Sequence, residues 1–129
     1  MKLPVIIVNF KVYEQATGDN ALALAKIHDQ VAKETGKSIG IAVNFLDLAK
    51  VAKSVDIPVF AQHCDPRKYG NHTGYVIPQQ LKEMGVYGTL LNHAEKPLGH
   101  EILKESIFEA KEVGLYVIAC ADTPEKGKE

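Results

Sequence analysis

The chain lacks tryptophan, has only two cysteines and carries no surplus of charge of either sign. Cys64 and Cys120 lie far apart, with no Cys-x-x-Cys or zinc-type spacing. That argues against a disulfide framework or a structural metal, and both thiols are expected to be buried. A formal net charge of -1 and an isoelectric point near 6.5 leave no electrostatic footprint for nucleic acid. Long apolar runs are missing too: Met1-Lys2-Leu3-Pro4 leads into a short apolar stretch with no further signal-like region and no small-residue cleavage site. Neither secretion nor membrane insertion is expected, no basic amphipathic stretch suggests a membrane surface, and the chain reads as cytoplasmic. The expected partner is a small molecule or another protein.

What is present is a strong alternation. At 129 residues and 46% hydrophobic content, the chain suits one globular domain with a core, or one piece of a larger domain. Five apolar, β-branched runs, Val5 to Val8, Ile39 to Val43, Ile57 to Ala61, Val86 to Leu91 and Leu115 to Cys120, read as strands apolar on both faces. Between them lie helical spacings: Leu24, Ile27 and Val31; Leu48, Val51, Ala52 and Val55; Leu103, Ile107 and Ala110. Each stripe requires a sheet to cover. Gly36, Gly85 and Gly114 stand at the expected helix ends. The order β-α-β-α-β-α-β-α-β implies parallel strands with right-handed crossovers, in an open doubly wound sheet or part of a closed β/α barrel. After the fifth run, Thr123-Pro124-Glu125 has the pattern of a helix start, with Thr123 as the cap. This points either to a short amphipathic tail or to the front part of a longer fold.

Parallel α/β folds bind ligands beyond the carboxyl ends of their strands. Here those ends are polar: Asn9 and Lys11, Asn44, Gln62-His63, Asn92-His93, then Cys120 and Asp122. Strand alternation aims Asn9 and Lys11 to one face. Each end alone reads equally well as a solvated or hydrogen-bonded terminus, and His93 as a satisfied core imidazole. Five on one rim favour a site. His63, Cys64, Asp65 and His72 are competent metal ligands by type, but they lack recurrent ligand spacing and no metal is expected. His28 and His100 are expected in surface or capping roles.

The stretches "VNFKVYEQATG" (Val8 to Gly18), "IPVFAQHCDP" (Ile57 to Pro66), "NHTGYVIP" (Asn71 to Pro78), "GTLLNHAEK" (Gly88 to Lys96) and "VGLYVIAC" (Val113 to Cys120) together resemble triosephosphate isomerase, most like its shorter archaeal form. The resemblance implies a partial (β/α)8 TIM barrel, with four βα units and a fifth strand in one truncated domain, 1–129. It implies interconversion of dihydroxyacetone phosphate and glyceraldehyde 3-phosphate through an enediolate, in glycolysis and gluconeogenesis, with no cofactor. Carried over by position, Asn9 and Lys11 match the family's substrate-binding Asn-x-Lys, Lys11 and His93 its catalytic cation and carbonyl-polarising electrophile, and Glu95 the carboxylate that holds the lysine. Thr73 matches a residue that crosses to a neighbouring subunit, so a homo-oligomer is implied, and Cys120 matches a structural cysteine beneath the site.

Several features depart from the family pattern. The family's base and phosphate-gripping loops would lie beyond Glu129, so the chain is expected to be inactive or very poor alone. Ala94 stands where the family has serine, Lys96-Pro97 where arginines are common, and Tyr75 where glutamate is common. Pro97 challenges the helical turn that is expected to keep His93 neutral. Two alternatives stand beside the isomerase: a non-catalytic half-barrel that pairs its exposed edges with a second copy or another chain, and an unrelated flavodoxin-like binding domain.

Overall fold

The computed structural model describes residues 1–129. Its strands are β1 (Ile6–Asn9), β2 (Ile39–Val43), β3 (Val59–Ala61), β4 (Gly88–Leu91) and β5 (Tyr116–Ala119). The helices α1 (Asp19–Thr35), α2 (Phe45–Ala52), α3 (Pro78–Glu83) and α4 (His100–Glu112) connect them. All four strand pairings are parallel and sequential, β1-β2-β3-β4-β5, with Ile6 opposite Ile39 and Gly88 opposite Tyr116.

Strand order and helix placement decide between the two α/β architectures. A doubly wound sheet reverses its order and carries helices on both faces, whereas this order never reverses. One large apolar cluster joins Ala21, Ala25, Leu48, Val51, Leu81 and Ala110 of the four helices to Ile41, Val43, Val59, Ala61 and Leu91 of the sheet. The opposite face carries a separate cluster of Ala42, Phe60 and Leu90, flanked by Ile7, Tyr87 and Ile118, with no helix residue in it. Helices therefore cover one face alone, and the other forms the interior of a partial β/α barrel. There the Phe60 ring lies over two glycines. A Cβ on Gly40 would stand 2.7 Å from Ile7 Cδ1 and 3.3 Å from the ring, and one on Gly88 would fall 2.6 Å from it.

The inner strands are buried on both faces, as their apolar runs require. The outer two are not: each pairs on one side only, leaving Ile6 58% and Tyr116 53% exposed. The stripe expected on α1 is also corrected. Leu24 packs against the core, but Ile27 and Val31 are exposed, and the helix buries Ala21, Ala25 and Asp29. These lie four residues apart on one face, and the small alanines permit close approach to the sheet. Asp29 accepts the backbone N–H groups of Asp56 and Ile57, each at 3.1 Å, and the Lys33 ammonium at 2.8 Å. It thereby clips α1 to the entry of β3. The α2 and α4 stripes match expectation except that α2 ends at Ala52 and Val55 packs on the core from beyond it; Ser106 is buried on α4 and satisfied by the Ile102 carbonyl. Gly36, at φ 67°, ends α1 in the left-handed conformation, its N–H on the Ala32 carbonyl. After β5, Thr123 Oγ1 accepts the Lys126 N–H and a single 3-10 turn, Lys126–Lys128, follows. No helix is long and apolar enough to cross a membrane.

Candidate active site

The carboxyl ends of β1, β2, β3 and β4 open on a cleft of about 470 Å3 whose lining includes Asn9, Lys11, Asn44, Gln62, His93 and Glu95. The local chain at each end explains what it presents. β1 stops at Asn9, and Lys11 adopts φ 51°, a left-handed conformation that costs a non-glycine residue about 1–2 kcal/mol. Simple strand alternation therefore does not place its side chain. Its N–H donates to Asn9 Oδ1 at 2.9 Å, its carbonyl accepts Gln62 Nε2 at 2.8 Å, and Phe10 is buried on the other face.

The Lys11 ammonium reaches across the rim to Glu95 Oε1 at 2.8 Å. The Glu95 carboxylate, accepting this hydrogen bond and adding its charge, holds the ammonium above the ordinary lysine range; Lys11 in return holds Glu95 below the ordinary carboxylate range. Both groups face solvent, so the pair orients the cation more than it stabilises the fold.

His93 follows β4. One hydrogen-bonded turn, Lys96 N–H to the His93 carbonyl at 2.7 Å, closes before Pro97, and the chain stays non-helical until α4. The expected helical terminus is thus absent, because proline disfavours the helical conformation in the residue before it. A different contact fixes the imidazole: the Glu95 backbone N–H donates to His93 Nδ1 at 3.1 Å. An N–H can only donate, so Nδ1 is the acceptor and the ring hydrogen belongs to Nε2. The Glu95 Oε2 atom also stands 3.5 Å from Nδ1.

Asn92 is not part of this rim cluster. At φ 57° it donates through Nδ2 to the Cys120 carbonyl at 2.9 Å and accepts the Leu98 N–H at 2.8 Å, tying β4 to β5 and to the approach of α4. Asn44 caps α2 by accepting the Leu46 and Asp47 N–H groups, while its Nδ2 donates to Asp47. Thr73 lies on the exposed loop between β3 and α3, away from the residues lining the cleft. Ala94 is exposed in the turn after His93.

Of the candidate metal ligands, His63 Nε2 meets Asp65 Oδ1 at 2.9 Å, and Asp65 Oδ2 accepts the Val76 N–H, closing the base of that loop. The Cys64 thiol is fully buried, and burial pushes it up to about 12, so it is neither a thiolate ligand nor a nucleophile near neutral pH. Cys120 is only half-buried beside the β5 edge, which corrects the expectation of a buried thiol there. In sequence Gln62 reads only as a polar strand end and Lys96 has no assigned role, although both line the cleft. Their signal is position at strand ends, which does not reveal reach across two strands.

Comparison with known proteins agrees with this architecture. A family model described as triosephosphate isomerase matches residues 4–129. A triosephosphate isomerase of Pyrobaculum calidifontis is 48% identical over 124 residues, 96% of this chain and 54% of that protein. One from Metallosphaera sedula is 44% identical over 122 residues, 95% of this chain and 54% of the relative. The crystal structure of triosephosphate isomerase from Bartonella henselae superposes with a TM-score of 0.76 at 23% identity, covering 97% of this chain and 54% of the other, and supports the fold. The chain thus spans about half the length of the curated relatives it matches. On the family match and these identities, it belongs to the triosephosphate isomerase family.

Proposed function

We propose that the cleft is the electrophilic half of a triose phosphate isomerase site, binding dihydroxyacetone phosphate or glyceraldehyde 3-phosphate without a cofactor. The observation that carries this reading is the meeting of Lys11, Asn9 and His93, whose Nδ1 accepts the Glu95 N–H, on one cleft. Lys11 supplies charge to the phosphate and to the oxyanion that develops on enolisation, and Asn9 orients the substrate beside it. His93 Nε2–H donates to the carbonyl oxygen, then shuttles the proton between the two oxygens of the enediolate. Glu95 keeps the ammonium on the rim. Thr73 extends towards a neighbouring copy, on a loop whose neighbours Tyr69 and Tyr75 are exposed.

Enolisation also requires a base to take the carbon-bound proton. The cleft lining includes one carboxylate, Glu95, and its ion pair with Lys11 makes it a weak base. This chain by itself therefore binds substrate and does not turn it over. A coupled assay for glyceraldehyde 3-phosphate formation tests this, with turnover expected no faster than in buffer. Turnover that disappears in His93→Ala would instead assign a complete site to the chain or its assembly.

A second reading, that the half-barrel is a non-catalytic assembly module, draws support from the edges. β1 and β5 each pair with one neighbour, and the outermost helices leave Ile27, Val31, Ile102 and Phe108 exposed. In that reading a second copy covers these surfaces.

A further inference from the structure

Lys11 and Asn92 are the two non-glycine residues with positive φ, and they are held differently. Asn92 uses its own side chain, bonded to the Cys120 carbonyl and the Leu98 N–H. Asparagine also tolerates this conformation better than other residues. A lysine has neither advantage, and both of its backbone groups are instead captured by other side chains. Asn9 Oδ1 accepts its N–H at 2.9 Å, and Gln62 Nε2 donates to its carbonyl at 2.8 Å. The same Gln62 amide stands 3.3 Å from Asn9 Oδ1 and 3.5 Å from the Ala42 carbonyl of β2. Gln62 thus reaches from the end of β3 across β2 to the turn that follows β1.

The consequence lies at the other end of the lysine. Its ammonium bridges from the β1 terminus to Glu95 behind β4, and the direction in which the side chain leaves the backbone depends on the left-handed turn. We propose that Gln62 is a positioning residue that locks the left-handed backbone of Lys11 and so aims its ammonium across the cleft. For the substrate this rests on the reading above, since Lys11 is the cation assigned there to the phosphate. The local claim about Lys11 stands without it. Length and donor character both matter: asparagine falls one methylene short, and an ionised glutamate sets an acceptor against the Lys11 carbonyl.

The test uses the 129-residue chain with its lysines reductively 13C-methylated, the Lys11 resonance being identified by its loss in Lys11→Arg. In the parent chain this signal titrates above the ordinary lysine range. In Gln62→Leu and Gln62→Met, which remove the amide donor without adding charge, it returns to the common lysine value of about 10.4, while circular dichroism reports a folded chain. Affinity for dihydroxyacetone phosphate falls on the order of tenfold or more, as expected when a charged contact is displaced. Gln62→Met preserves side-chain length without a donor or a charge and decides the matter should Gln62→Leu fail to fold. An unchanged Lys11 titration in the folded variants overturns the proposal, as does unchanged ligand affinity. Absence of binding by the parent chain defeats the functional reading instead, and the titration still decides the role of Gln62.

Discussion

At the residue scale, polar side chains here act mainly on backbone, and this is what a sequence conceals. Asn9, Lys11 and His93 are legible as polar strand ends because strand termini are where an α/β fold collects ligand groups. The tautomer of His93 is not legible, since it depends on the Glu95 N–H, a contact created by the turn rather than by residue type. Asp29 illustrates the same limit: in sequence it belongs to a polar helix face, yet it is buried and satisfies two backbone donors of another segment. Burial pushes its carboxyl up, but the Lys33 hydrogen bond and the Asp56 and Ile57 N–H groups outweigh this and hold it below the ordinary 3.8. A lowered folded value means that the carboxylate stabilises the fold fully above the unfolded value, and that this contribution is lost as pH falls through the folded one. Asp29→Ala should cost about 2 kcal/mol in urea unfolding at neutral pH, mostly from stranded N–H groups because the exposed Lys33 partner is screened. The variant should also lose less stability than the parent when the pH falls below about 4.

At the element scale, the inner strands and the α2 and α4 stripes follow from apolar periodicity, while α1 does not. Leu24, Ile27 and Val31 have helical spacing, but of these only Leu24 packs on the core, and the small Ala21 and Ala25 take the most buried positions. A similar size constraint governs the barrel interior. A methyl on Gly88 would meet the Tyr116 backbone oxygen most closely and fall 2.6 Å from the Phe60 ring, whereas one on Gly40 meets its tightest contact at the tip of Ile7, with the Pro58 backbone oxygen farther off at 3.2 Å. Backbone cannot move aside as a side-chain tip can, so Gly88→Ala should destabilise by roughly 3 kcal/mol and Gly40→Ala by about 1 kcal/mol. Thermal unfolding of the two variants measures the difference, and equal costs would contradict this picture of the interior.

At the scale of the whole molecule, the open sheet and the half-cleft express one fact: the chain holds consecutive βα units of a barrel, with helices over one face and bare edges at β1 and β5. Alternation implies those units, the family resemblance of the stretches from Val8 to Cys120 implies a barrel instead of a doubly wound sheet, and the strand order agrees. Edge exposure was foreseeable from strand number, but not which side chains it would uncover. If a second copy covers Ile6, Ile27 and Tyr116, sedimentation velocity should show association that strengthens with concentration and weakens in Ile27→Lys. A concentration-independent monomer would remove the second reading. The central claim, that the β1 and β4 ends form a triose phosphate half-site, is tested most directly by backbone amide NMR during titration with dihydroxyacetone phosphate. The account predicts saturable shifts centred on Asn9, Lys11, Gln62, His93 and Glu95 that vanish in Lys11→Ala. Shifts centred elsewhere, or a spectrum unchanged at millimolar ligand, would contradict it.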